Sequence, residues 1–176
     1  MQKRVFTILF ICFAIVAGKE LLPVAISASV SAAENKIGAS GAPIPRFVSL
    51  AAKKAFMRTG PGRQYPIDWV YTRPGLPLEV IAEDGPWRRV QDHDGIRGWM
   101  HVSLLSGKRT AMIIGRTRKL YDDTDLAAAV TITADMGVTG EIVRCKTIWC
   151  KLDIDGSRGW LERRNLYGVY PDEVLD

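Results

Sequence analysis

One pattern of indoles and glycines is written twice in this chain. Gly75, Trp87, Asp94-Gly95, Arg97-Gly98-Trp99 and Leu104 recur as Gly137, Trp149, Asp155-Gly156, Arg158-Gly159-Trp160 and Leu166. Gly75 to Trp87 and Gly137 to Trp149 are both 12 residues, whereas Trp87 to Trp99 is 12 and Trp149 to Trp160 is 11. A single residue has therefore been gained or lost between the last two markers, where a hairpin turn tolerates a length change. Repetition of this kind means one small unit built twice. Each unit holds about 55 to 70 residues, at the lower edge of what buries an adequate core without help.

Between the markers, short strands alternate with turns. Leu78-Glu79-Val80-Ile81-Ala82 runs into Glu83-Asp84-Gly85-Pro86, and Trp87-Arg88-Arg89-Val90 resumes before Asp92-His93-Asp94-Gly95. Gly140 to Cys145 and Trp149 to Ile154 repeat the arrangement, with a turn at Asp155-Gly156, a dipeptide suited to the positive φ angles of a type I′ turn. Helical periodicity is weak throughout, and one short helical turn is expected around Asp123 to Val130. A strongly curved antiparallel barrel is the economical fold, because closing the sheet removes most open edges. The expected class is all-β, with two small barrels in tandem.

The start of the chain reads as an export leader. A basic start at Lys3 and Arg4 precedes an uncharged run from Val5 to Ala17, apolar but for Thr7, and Ser31-Ala32-Ala33 suits cleavage by signal peptidase. Residues 1–33 are expected to be a signal peptide and 34–45 a disordered linker. The rival reading is an uncleaved membrane anchor, favoured by Lys19-Glu20 but opposed by the shortness of the apolar run. Cleavage leaves 21 basic and 18 acidic residues, a net charge of +3, too small and too dispersed to indicate nucleic acid. It also leaves two cysteines, Cys145 and Cys150, bound for an oxidising compartment in the periplasm or outside the cell. A disulfide across the neck of a hairpin fits their spacing and would stabilise the fold by roughly 2 kcal/mol. A metal or redox site is the weaker alternative, since there are two thiols only and neither histidine is near in sequence.

The units resemble bacterial SH3-like domains, small β-barrels often found in tandem in exported bacterial proteins. Met57-Arg58-Thr59-Gly60-Pro61-Gly62 is similar to the family's opening motif, and Trp87-Arg88-Arg89-Val90 and Gly98-Trp99-Met100-His101 to its central tryptophan strand and its Gly-Trp-Val-His strand. The second copy keeps the tryptophans and glycines but has Arg118-Lys119-Leu120-Tyr121-Asp122 where the opening motif stands in the first. The resemblance implies domains at 46–116 and 117–176, with ligand binding centred on the first and the second as support. The candidate ligand-binding residues are Arg58, Tyr65, Trp69, Tyr71 and Trp99. Trp87 and Trp149 are expected to fill or cap the cores, and Gly98 and Gly159 to permit bending or close backbone approach.

From Arg88 to Lys119 there are eight basic residues against Asp92 and Asp94. Two readings stay open: faces whose charges seat one unit on the other, or a basic strip that attracts anionic wall polymers. No chemistry-bearing constellation accompanies it. The histidines are His93 and His101, and neither a G-x-S-x-G elbow nor an H-E-x-x-H helix occurs. The aspartate pairs sit at turns, where backbone geometry accounts for them. The expectation is a non-catalytic exported binding module without cofactor or metal. Its partner would be a peptide, peptidoglycan or an envelope protein, not nucleic acid, with membrane contact only through an uncleaved leader. The alternative is a structural subunit mediating protein contacts in the envelope.

Overall fold

The computed structural model describes residues 36–176, so the leader expected at 1–33 lies outside the described residues. A small hairpin of β1 (Lys36–Ile37) and β2 (Pro43–Ile44) comes first. Next come β3 (Arg46–Leu50), β4 (Ala55–Arg58), β5 (Ile67–Tyr71), β6 (Pro77–Asp84), β7 (Trp87–Gln91), β8 (Arg97–His101) and β9 (Leu105–Ser106). The second set is β10 (Thr110–Ile113), β11 (Arg118–Tyr121), β12 (Val130–Ala134), β13 (Thr139–Lys146), β14 (Trp149–Ile154), β15 (Ser157–Glu162) and β16 (Leu166–Tyr167). The first sheet is ordered β5-β4-β8-β7-β6-β3-β9 and the second β12-β11-β15-β14-β13-β10-β16, so the two agree strand for strand. Each is antiparallel, and each has a 3-10 turn before its last strand, at Val102–Leu104 and Arg163–Asn165. Among the described residues no helix is long and apolar enough to cross a membrane. The segment expected to turn around 123–130 is a loop with one hydrogen-bonded turn, Ala128 N–H donating to Asp125 O over 3.2 Å, and no helix.

The repeated residues occupy matched positions. Gly75 (φ 79°) and Gly137 (φ 85°) each donate their N–H over 2.8 Å to the end of the preceding wall strand, at the carbonyls of Leu50 and Ile113. A Cβ on Gly98 would lie 2.5 Å from Met57 Cγ, and one on Gly159 2.6 Å from Leu120 Cβ, so both glycines allow a close crossing of the neighbouring strand. Both sheets carry a bulge at the same place, between Val80 and Ala82 and between Ile142 and Arg144. Asp155 (φ 51°) and Gly156 (φ 87°) form the expected two-residue turn between the paired Ile154 and Ser157. The pair Gln91–Arg97 of the first barrel matches Asp153–Arg158 of the second, and encloses five residues, 92–96, against four, 154–157. That loop contains the extra residue. The register also shows that the counterpart of Leu166 is Leu105, not Leu104, since these two pair with Ile113 and Leu50 at equivalent points.

Cys145 and Cys150 are bonded, with Cα atoms 4.1 Å apart, and face each other across β13 and β14. Their counterparts in the first barrel are Glu83 and Arg88, likewise a cross-strand pair, with Arg88 Nε 3.2 Å from Glu83 Oε1. Each barrel then receives an outer segment at this point. The region expected to be a disordered linker is, from residue 36, the β1–β2 hairpin. Ser40 donates from its N–H and its hydroxyl to the two Glu83 carboxylate oxygens, each over 2.7 Å. Two-residue strands have no core of their own; a buried carboxylate needing donors supplies the anchor. In the second barrel the tail takes this role, with Cys145 N–H donating to Leu175 O over 2.7 Å.

The domain boundary expected at 116/117 moves towards the N-terminus, because β10 is a wall of the second sheet, paired with β13 and β16. Its side chains serve both barrels. Ala111 and Ile113 lie in the second core with Leu120, Leu152 and Leu161, while Met112 lies in the first with Met57, Leu78 and Met100. Alternate residues of a strand point to opposite faces, so one strand between two cores feeds each in turn. Polar contacts reinforce the seam. Tyr167 Oη donates to Gln91 O over 3.0 Å, Tyr170 Oη to Glu79 Oε1 over 2.9 Å, and Arg109 forms an ion pair with Glu173 while lying over the Phe47 ring. The described residues belong to one compact unit.

Candidate functional site

The outward face of the first barrel carries a groove built by three strands and a turn. In β4, Ala55 and Met57 are buried in the core, so Phe56 and Arg58 face out; in β8, Met100 is buried and His101 faces out. Trp87, first residue of β7, stands opposite His101, and their rings meet edge to face at 5.4 Å. Ser103 and Leu104 of the 3-10 turn complete the rim, with Ser103 Oγ 2.7 Å from His101 Nδ1. Together with Arg63 these residues line a concavity of about 280 Å³. It has an aromatic wall, two guanidinium groups and an imidazole, and no carboxylate in its lining. That combination suits a chain with apolar side groups and an anionic one.

The residues expected to bind ligand divide among different places. Arg58 lines the groove, where its Nη1 donates to the carbonyls of Tyr65 at 2.7 Å and Arg63 at 3.1 Å, bracing the loop that carries Arg63. Tyr65 lies against Gly60, whose missing side chain makes room for the ring. Trp69, 48% exposed, lies on β5, the edge strand of its sheet, beside exposed Ile67 and Val70. Trp99 is half-buried on the outer face opposite Arg58. Tyr71 requires a correction. It is buried in the first core, and its hydroxyl donates to Asp92 Oδ2 over 2.7 Å. Asp92 Oδ1 also accepts from the N–H groups of Asp94 and Ile96, so the phenol ties β5 to the five-residue loop. Burial, then the bond to Asp92, pushes the Tyr71 phenol well above its ordinary pKa. It is a structural residue rather than a contact for ligand.

Trp87, His101, Phe56, Arg63 and Ser103 were not among the expected site residues. Trp87 stands outside the first core cluster, at the outer face, because it begins a strand whose next residue is the inward one; Trp149 lies outside the second cluster but is buried, capping that barrel. Counting back from the 92–96 loop places Trp87 opposite His101, so a signal was present in the hairpin register. The second barrel keeps Trp160 where Trp99 is but differs at most of the other matching positions. Register puts Tyr121 where Arg58 is, Ile132 where Trp69 is, Ala134 where Tyr71 is and Glu162 where His101 is, while Trp149 repeats Trp87.

The sequence model of the bacterial SH3 domain matches residues 51–107 and again 116–168. No curated protein matches the chain in sequence. Among solved structures, NlpC1 from Trichomonas vaginalis is similar at 10% identity, with a TM-score of 0.35 over 85% of this chain and 51% of that one. NlpC2 from the same organism gives 8% and 0.33 over 70% and 48%, and an NlpC/P60 family protein from Bacillus cereus gives 12% and 0.32 over 69% and 55%. The chain spans about half the length of these structures. Two matches of one domain, on two sheets of identical strand order, carry the assignment: the chain belongs to the bacterial SH3 domain family and holds two copies of the domain in tandem.

Proposed function

We propose that the protein is an exported, non-catalytic binding module whose first barrel holds a peptide of the cell wall in the Trp87–His101 groove. One observation carries this reading: a concave strip with aromatic walls, lined by Arg58, Arg63 and His101 and by no acidic side chain. A wall stem peptide offers an extended backbone, small apolar side groups and carboxylates, which such a strip complements. Bacterial SH3 domains are binding modules, in keeping with this role. Export rests on the leader-like first 33 residues and the paired cysteines.

The test is cosedimentation of the mature protein with purified cell wall at low salt. Retention that Trp87→Ala and Arg63→Glu abolish, and that Trp69→Ala leaves intact, is the expected result. Failure of the unaltered protein to sediment would remove the wall ligand. A second reading, a structural subunit in the envelope, draws on the exposed edge strand β5, where Ile67, Trp69 and Val70 are unpaired on one side. An open strand edge is a place for another chain to add. Crosslinking in the native envelope, followed by mass spectrometry, distinguishes polymer from protein partners.

A further inference from the structure

The eight cations between Arg88 and Lys119 do not act as one strip. Arg88 approaches the buried carboxylate of Glu83, Arg97 donates to Gln91, Lys108 pairs with Glu141 at 2.6 Å and Arg109 pairs with Glu173. Arg89, exposed on β7, forms no ion pair with any described residue, and neither do Arg116, Arg118 and Lys119. These three converge on a single concavity of about 460 Å³ in the second barrel, floored by Tyr121 and Trp149, whose rings meet edge to face at 6.4 Å. Arg118 Nε is buried there and has no hydrogen-bond partner among the described residues. The one carboxylate of the lining, Glu162, is already held by Arg164 and Asn165. Of the acidic loop that follows β11, only Leu126 reaches the lining, while Asp123 and Asp125 accept from their own loop's N–H groups at Thr124 and Ala127.

By register this is the same place on the second barrel as the Trp87–His101 groove on the first. Trp149 stands for Trp87, Tyr121 for Arg58, Lys119 for Phe56 and Glu162 for His101. We propose that the second barrel is itself a binding domain, and that its groove takes an acidic linear peptide segment of another protein, with carboxylates on the unpaired cations and an aliphatic side chain against Tyr121 and Leu126. The apolar floor is what favours a peptide over a simple polyanion, which would bring nothing to cover it. Arginine beside a carboxylate gives paired, directional hydrogen bonds, and uncompensated cations in a concavity focus the field on an incoming anion. The site stands independently of the wall ligand proposed for the first barrel.

The experiment uses the mature protein and a fluorescein-labelled peptide of alternating Glu and Leu, read by anisotropy. An extended chain of that pattern presents carboxylates on one side and aliphatic groups on the other. Binding that weakens with added salt and falls about tenfold or more in Arg116→Glu/Lys119→Glu is expected, with Lys36→Glu, an exposed residue that lines neither groove, leaving it unchanged. Both replaced side chains are exposed, and the milder Lys119→Gln should weaken binding in the same direction. No saturable binding, equal binding by the double variant, or equal binding of a Lys-Leu peptide would each overturn the proposal. Competition by inorganic polyphosphate as effective as that by unlabelled peptide would assign the groove to simple polyanions and overturn the peptide.

Discussion

Met112 and Ile113 are neighbours in β10, yet their side chains enter different cores, Met112 among Met57, Leu78 and Met100, and Ile113 among Leu120, Leu152 and Leu161. A residue of the second sheet thus fills the first barrel. Met112→Ala should cost about 2–5 kcal/mol, the range for emptying a buried methionine site. Urea unfolding followed by tryptophan fluorescence and by far-ultraviolet circular dichroism should remain one coincident transition in both proteins. Two separated transitions would show that the barrels fold apart.

Glu83 links acid stability to the N-terminal hairpin. Its burial alone would raise the carboxyl pKa, but hydrogen bonds from Ser40 and Arg46 and the charge of Arg88 outweigh that and hold it at about 2. A depressed folded-state pKa contributes stability above the ordinary value near 4.5, and that contribution is lost as pH falls through about 2. The expected outcome is a Tm that declines between these values, with a shallower decline in Glu83→Gln. Equal slopes in the two proteins would separate Glu83 from the acid response.

The corresponding place in the second barrel is covalent. Cys145→Ala/Cys150→Ala should lower stability by roughly 2 kcal/mol, as the closed loop is short. The bond from Cys145 N–H to Leu175 O is made by backbone and survives the change. Hydrogen exchange at that amide should therefore accelerate only with global unfolding; a much faster local exchange would mean that the disulfide holds the tail.

Tyr71→Phe removes a donor to a buried carboxylate while leaving the ring in the core. Leaving such an acceptor short of a partner costs about 1–3 kcal/mol. Chemical denaturation should read that loss, whereas retention by cell wall should match the unaltered protein. Weaker retention at full stability would restore Tyr71 to the binding surface.

Much of this molecule was legible before any coordinates. The Asp155-Gly156 turn and the Cys145–Cys150 pairing depend on neighbours a few residues away, and local chemistry determined them, whereas Gly98 and Gly159, which answer to Met57 and Leu120 on neighbouring strands, showed through the repeat. Tyr71 was misread because the partner that buries it, Asp92, lies 21 residues on, and the chain shows only an aromatic near other aromatics. The hairpin at 36–44 was missed for a similar reason, since its anchor is Glu83 and its own strands are too short to display alternation. The apolar run Ala111-Met112-Ile113 marked a buried strand but could not reveal that two cores share it. Apart from Arg58, the lining of the first groove and the whole of the second did not show in the sequence, because the outward residues of several strands make them and outward positions carry no periodic apolar signal.

A shared strand leaves no hinge between the two binding faces. Their separation is a property of the fold, so the pair acts as a caliper: a bivalent partner gains from the second contact only when its own span matches, and a mismatched one gains nothing. Selectivity for spacing then arises without either groove being individually strict.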